Sequence, residues 1–171
     1  MEKPARRYKA SAAVFSASTC KNTRSSPRAR AASARPANTR TARAADPSTK
    51  LCYNDYGIID ERPEYRAKVA QRVRYLLDHG APVDALGIQG HMHSPLTPIV
   101  RVLEILDEWA AFGKDLEITE YDVGLRDDQM HAEYTRDILT AAFSHPSVKS
   151  FIMWGFWEGS HWRARDGGAM V

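Results

Sequence analysis

From residue 50 onward, apolar positions alternate between two rhythms. "KLCYNDY" (50–56) is a short strand pattern stopped by Gly57. In "RPEYRAKVAQRVRYLLDHGAP", Tyr65, Val69, Val73, Leu76 and Leu77 fall at helical spacing, and Gly80 and Pro82 close the helix. "VDALGIQGHMH" (83–93) is strand-like again. "SPLTPIVRVLEILDEWAAFG" aligns Ile99, Leu103, Leu106 and Trp109 on one stripe before Gly113. "DLEITEYDVG" (115–124) is a third strand. Asp127 or Asp128 caps a helix carrying Met130, Tyr134, Ile138 and Ala142, and "VKSFIMWGFW" (148–157) is a fourth strand.

Strands alternating with helices predict parallel strands joined by right-handed crossovers. Each strand ends in polar or aromatic residues: Asn54 to Tyr56, Gln89 to His93, Glu120 to Asp122, and Trp154 to Trp162. Functional groups at every C-terminal strand end favour a (β/α)8 barrel, whose active site is built there. An open doubly wound sheet is the rival, but no glycine-rich phosphate turn occurs. The expected fold is therefore α/β, a partial (β/α)8 TIM barrel of about four βα units.

The net charge of +3 conceals two unlike parts. Residues 1–50 hold twelve Lys/Arg against two acids, whereas residues 51–171 hold twelve against nineteen. The first 41 residues, rich in Arg, Ala and Ser, are expected to form a disordered basic tail, with residues 42–171 as the folded domain. Such an arm suits an anionic surface or a targeting peptide, but a charge run alone specifies no partner. It makes a poor secretory signal, because its apolar core is short. The acidic folded part argues against nucleic acid as a partner. No apolar run approaches the ~20 residues of a membrane span, so no membrane partner is expected. Cys20 and Cys52 form neither metal spacing nor a disulfide framework, and Cys52 reads as an inert core thiol.

Glu120 and Asp122, two apart at the end of an apolar strand, share a face and are partly desolvated. Either could attack or accept a proton, or simply cap the next helix. His91 and His93 also share strand parity and could hold a metal with one of these acids, although Gln89 beside His91 suits hydrogen bonding equally well. His93 reads more simply as a loop histidine with no task. No metal or cofactor is expected. Trp154, Trp157 and Trp162 offer flat apolar faces to sugar rings, with core packing the competing role for Trp157.

"ARAADPSTKLCYNDYG", "VDALGIQGHMH", "LEITEYDV" and "FIMWGFWEGSHWR", in that order, resemble the C-terminal half of glycoside hydrolase family 10, the endo-β-1,4-xylanases. The resemblance covers about 42 to 171. It implies a (β/α)8 barrel that hydrolyses xylan with retention and is typically secreted. It implies that Glu120 is the nucleophile, His91 its hydrogen-bond partner, and Asp122 the acid that orients His91. Gln89, Trp154, Trp162 and Tyr56 are implied to contact the sugar. Gly57 and Tyr121 depart from the family pattern without touching the nucleophile.

In the family, the acid/base glutamate ends strand four in an Asn-Glu pair. Asparagine occurs here only at 22, 38 and 54, followed by Thr, Thr and Asp. The expectation is a xylanase by descent that lacks its acid/base half and is inactive alone. The alternative is a non-catalytic remnant that binds xylan weakly or has no function. Open barrel edges would also favour self-association.

Overall fold

The computed structural model describes residues 12–16, 36–60, 62–155 and 157–163. Its elements are β1 (Ala12–Ser16), α1 (Pro36–Ala45), β2 (Lys50–Asp55), α2 (Pro63–Asp78), β3 (Ala85–Ile88) and β4 (His91–Met92). These are followed by α3 (Ile99–Ala110), β5 (Asp115–Val123), α4 (Asp128–Ser144), β6 (Val148–Met153) and a 3-10 turn at Glu158–Ser160. All strand pairs are parallel, running β1, β2, β3, β5, with β6 on the far side of β5. The two-residue β4 pairs with the C-terminal end of β5. This is the curved parallel sheet of a partial TIM barrel, with crossover helices packed on one face.

Strand parity decides which side chains meet the helices. Tyr53, Leu86, Ile88, Leu116 and Ile118 join Val69, Val73 and Leu76 of α2 in the core, with Val102, Ile105, Leu106 and Trp109 of α3 and Tyr134 and Ile138 of α4. Each such side chain contributes roughly 1.5–3 kcal/mol on burial. Trp109 keeps its polar edge satisfied by donating from Nε1 to the Ile58 carbonyl at 3.0 Å. The opposite face of the sheet is polar. There Lys50 Nζ lies 3.0 Å from both Asp115 and Glu117, and Thr119 donates to Asn54 at 2.7 Å.

The alternation on β5 breaks once. Leu116 and Ile118 face the helices, as parity demands, but so do Tyr121 and Val123. The pairing with β6 shifts register between Ile118 and Tyr121. Thr119 and Glu120 therefore both reach Asn54 although they are adjacent. Bulges of this kind commonly re-aim side chains beside active sites.

The structure differs from the sequence expectation in five places. Two elements, β1 and most of α1, occupy the span read as a disordered tail. The basic residues of α1 are used in docking: Arg43 pairs with Asp84 and donates to the Thr49 carbonyl at 2.6 Å, and Arg40 reaches the carbonyl of His79. The strand read over 83–93 is broken at Gln89–Gly90, where Gly90 has φ of +82°. The last strand stops at Met153 rather than 157. The α3 stripe runs through Val102 and Ile105 rather than Leu103, and Met130 of α4 is half exposed. Asp127 does cap α4, its Oδ1 accepting the Met130 N–H at 2.8 Å. Cys20 lies outside the described residues.

Candidate active site

The bulge on β5 and the break between β3 and β4 meet at the C-terminal end of the sheet. The Glu120 N–H donates to the Gln89 carbonyl at 2.8 Å, which ties the two irregularities together. His91 then pairs in register with Asp122. The result is a chain of contacts: His91 Nδ1 lies 2.9 Å from Asp122 Oδ1, and His91 Nε2 lies 3.2 Å from Glu120 Oε2. A neutral imidazole donates from one nitrogen only, so both contacts are hydrogen bonds at once only when both nitrogens carry protons. The other oxygen of Glu120 accepts from Asn54 Nδ2 at 2.9 Å.

Asp122 is 2% exposed and is the most heavily contacted carboxylate of the cluster. Its Oδ2 accepts from Trp162 Nε1 at 2.6 Å, and Arg163 Nε lies 3.2 Å from its Oδ1. His161 Nε2 stands 3.8 Å away. Glu120 is only half-buried, with its donors on one side. The two acids are thus unequal: Asp122 is saturated and enclosed, and Glu120 is oriented but accessible, as an attacking carboxylate requires.

Trp162 and Trp154 flank the imidazole edge-on, with centroids 5.2 and 6.1 Å from His91. Both indoles are exposed, at 61% and 46%, beside a carboxylate. Gln89 is buried at the strand break. Tyr56 sits apart, its ring against Tyr65 at 5.2 Å and under the Arg62 guanidinium at 5.7 Å. Trp157 is 61% exposed, so core packing is not its role.

Two participants were not singled out from the sequence. Asn54 belongs to a strand end that was recognised, and its parity with Cys52 places it on the polar face. Arg163 had no local signal, since only the fold brings it against Asp122. His93, expected to be idle, accepts from Arg163 Nη2 at 3.1 Å, while His91 turns to the carboxylates. The two histidines therefore do not converge. Among the described residues, no group of three or more His, Cys, Asp or Glu is placed to hold a metal ion. No described helix is long and apolar enough to cross a membrane.

A parallel sheet with one-sided helices, carrying a carboxylate and its imidazole partner at the C-terminal strand ends, defines the class of (β/α)8 barrel enzymes. The family model "Glycosyl hydrolase family 10" matches residues 37–170, and the chain belongs to that family. It is 37% identical over 121 residues to endo-1,4-beta-xylanase 1 of Arabidopsis thaliana, covering 70% of this chain and 13% of that protein. Among solved structures, xylanase 10B of Thermotoga petrophila in complex with xylobiose is similar with a TM-score of 0.66 and 29% identity, over 74% of this chain and 41% of that one. A family 10 xylanase of Thermobacillus composti gives 0.67 and 25%, over 74% and 46%. The chain thus spans less than half the length of each of these relatives.

Proposed function

We propose that this chain supplies the nucleophile half of a retaining glycosidase acting on β-1,4-xylan. The observation that carries the reading is the asymmetric treatment of the two carboxylates. Glu120 is aimed by Asn54 and His91 but left accessible, while Asp122 is enclosed behind His91. In this reading a Glu120 oxygen attacks the anomeric carbon as the bond to the leaving oxygen breaks, giving a glycosyl ester with inverted configuration. Attack of water on that ester restores the configuration. His91 keeps Glu120 in place, and Asp122 orients His91. Trp154 and Trp162 wall the sugar next to the reacting bond, Gln89 lies beside that sugar, and Tyr56 stands at the rim.

A proton donor must meet the leaving oxygen in the first step. The strand beside β2 is β1, Ala12–Ser16, paired so that Ser16 stands opposite Asn54, and those five residues include no acid. The chain is accordingly proposed to be inactive alone on natural xylan, at a cost of about 10²–10⁴ in rate from the missing acid. An activated leaving group removes that requirement. The full chain is to be incubated with 2,4-dinitrophenyl 2-deoxy-2-fluoro-β-xylobioside, whose phenolate departs unprotonated and whose fluorine slows hydrolysis of the ester. The expected result is a stoichiometric mass increase of one difluoro-free, monofluorinated xylobiosyl unit on the Glu120 peptide, absent in Glu120→Gln. Intact mass unchanged in both proteins would defeat the reading. Binding of xylo-oligosaccharide without labelling would favour the rival role, a sugar-binding remnant that uses only the exposed tryptophans.

A further inference from the structure

Trp154 and Trp162, the two exposed indoles beside His91, both belong to the segment that follows β6, and one buried side chain bridges them. The His161 side chain is 3% exposed, although Trp162 beside it is 61% exposed. Its Nδ1 accepts from the Arg163 main-chain N–H at 3.1 Å, which leaves the ring hydrogen on Nε2. Nε2 donates in turn to the Trp154 carbonyl at 2.5 Å, so one neutral tautomer satisfies both bonds. The N–H of Trp154 donates to the Tyr121 carbonyl at 2.8 Å. Its main chain is therefore held by β5 on one side and by His161 on the other. Gly155 makes this approach possible: it has φ of +86°, and a Cβ there would stand 2.5 Å from Cδ2 of His161.

We propose that His161 is a positioning residue, a clasp that sets the separation and angle of the two indoles that receive the sugar. It acts through the main chain of Trp154 and Arg163 and touches neither the sugar nor Glu120. The inference rests on the proposed xylan reading and adds a residue outside the nucleophile cluster. Three observations favour a clasp over simple filling of space. Both ring nitrogens are engaged, with opposite polarity, by main-chain groups on either side of the segment. Asp122 Oδ2 stands 3.8 Å from Nε2, beyond hydrogen-bonding distance, so the ring hydrogen serves Trp154 and not the carboxylate. The two indoles also differ in what holds them. Trp162 is tied by its own Nε1 to Asp122 at 2.6 Å and lies under the Arg163 guanidinium at 4.6 Å. The Trp154 indole is 46% exposed and meets His91 edge-on at 6.1 Å, so its direction depends on how its backbone is held.

The test compares His161→Asn with His161→Gln in the full chain. Asparagine keeps an acceptor near the Nδ1 position and gives up the donor to Trp154, whereas glutamine keeps a donor near the Nε2 position. Labelling of Glu120 by the fluorinated xylobioside is followed against reagent concentration. His161→Asn is expected to raise the half-saturating concentration about tenfold, the size of a lost hydrogen bond that leaves the Trp154 carbonyl unpaired. The limiting rate should stay within about twofold, because the contacts around Glu120 are unchanged. His161→Gln should keep the half-saturating concentration near the parental value. Nitrogen-15 NMR gives a readout without sugar. The parental His161 ring is expected as the Nε2–H tautomer, and the Trp154 indole signal should move in His161→Asn and hold in His161→Gln. The tautomer is read on the parental chain, so it tests the clasp whatever the stability of the variants. An Nδ1–H ring, an equal loss of affinity in both variants, or no loss in His161→Asn would overturn the clasp. A parental chain that is neither labelled nor bound by xylobiose, while its indole signals still separate the two variants, would count against the xylan reading alone.

Discussion

Asn54 Nδ2 donates to Glu120 Oε1 at 2.9 Å, joining residues 66 positions apart, and the Asn54 carbonyl oxygen accepts from Thr119 at 2.7 Å. One amide thus fixes both residues of the β5 bulge. Glu120 is held on one oxygen by β2 and on the other by His91, so its plane is set from two strands. Asn54→Ala is expected to slow labelling of Glu120 by the fluorinated xylobioside about tenfold or more, as befits a lost hydrogen bond to a charged group. Urea unfolding should show a cost of about 1–3 kcal/mol, since the Thr119 hydroxyl loses its acceptor. Labelling at the parental rate would mean that Asn54 does not aim Glu120.

Gly87 lies opposite Asn54 in the β2–β3 pairing. A Cβ there would stand 2.6 Å from Asn54 Oδ1 and 2.9 Å from Cys52 Sγ. Gly87→Ala is therefore expected to destabilise the fold by about 1–3 kcal/mol through overpacking and also to slow labelling by shifting the Asn54 amide. Adding Cys52→Ala relieves one of the two contacts. The double variant should recover part of the stability in urea and little of the labelling rate. Recovery of both together would show that the sulfur, rather than Asn54, transmits the strain.

Much of this arrangement is readable from local sequence, because it depends on period and punctuation. Strand parity places Glu120 and Asp122 at one strand end, and the helix stripes identify the side that packs inward. Gly57, Gly80 and Gly113, all at positive φ, end elements where the sequence says they should. The bulge at Thr119–Glu120 is not readable, because it arises from a register shift against β6 and from Asn54, both distant in sequence. Arg163 is invisible for the same reason. Composition misled over α1, where arginines that look solvated are spent on Asp84 and on the backbone carbonyls of Thr49 and His79.

Alkaline pH should act first on two buried groups, Cys52 of β2 and Tyr121 of β5. Burial pushes the Cys52 thiol from 9.0 up to about 12, with Glu117 adding to the effect, and burial pushes the Tyr121 phenol from 10.0 up to about 12. Both groups are neutral in the folded and unfolded states below about pH 9, where their contribution to stability is complete. Between pH 9 and 12 the unfolded chain ionises and the folded one does not, so stability falls as pH rises. The midpoint in urea is expected to drop across that window, and Cys52→Ala should make the drop shallower. Iodoacetamide should modify Cys52 slowly in the native protein at pH 8 and rapidly in denaturant. Fast native alkylation would contradict an enclosed thiol.

Asp122→Asn isolates the role of the enclosed carboxylate. An isosteric amide keeps the shape but has one acceptor oxygen where the carboxylate has two. Trp162 Nε1 donates to Oδ2 and His91 Nδ1 faces Oδ1, so one of these donors must then meet an NH₂ group. Arg163 also loses the negative partner 3.2 Å from its Nε while remaining 3% exposed. Breaking a buried pair from one side costs about 3–5 kcal/mol, and a loss of that order is expected in urea. If the amide oxygen stays with Trp162, its NH₂ faces His91 Nδ1 and the imidazole hydrogen moves to Nε2, toward Glu120. Nitrogen-15 NMR of the ring would report that tautomer change directly. Labelling should slow even at temperatures where the variant is fully folded, because Asp122 no longer fixes the His91 ring that holds Glu120. A folded Asp122→Asn protein with the original His91 tautomer and labelling rate would reduce Asp122 to a structural partner of Arg163.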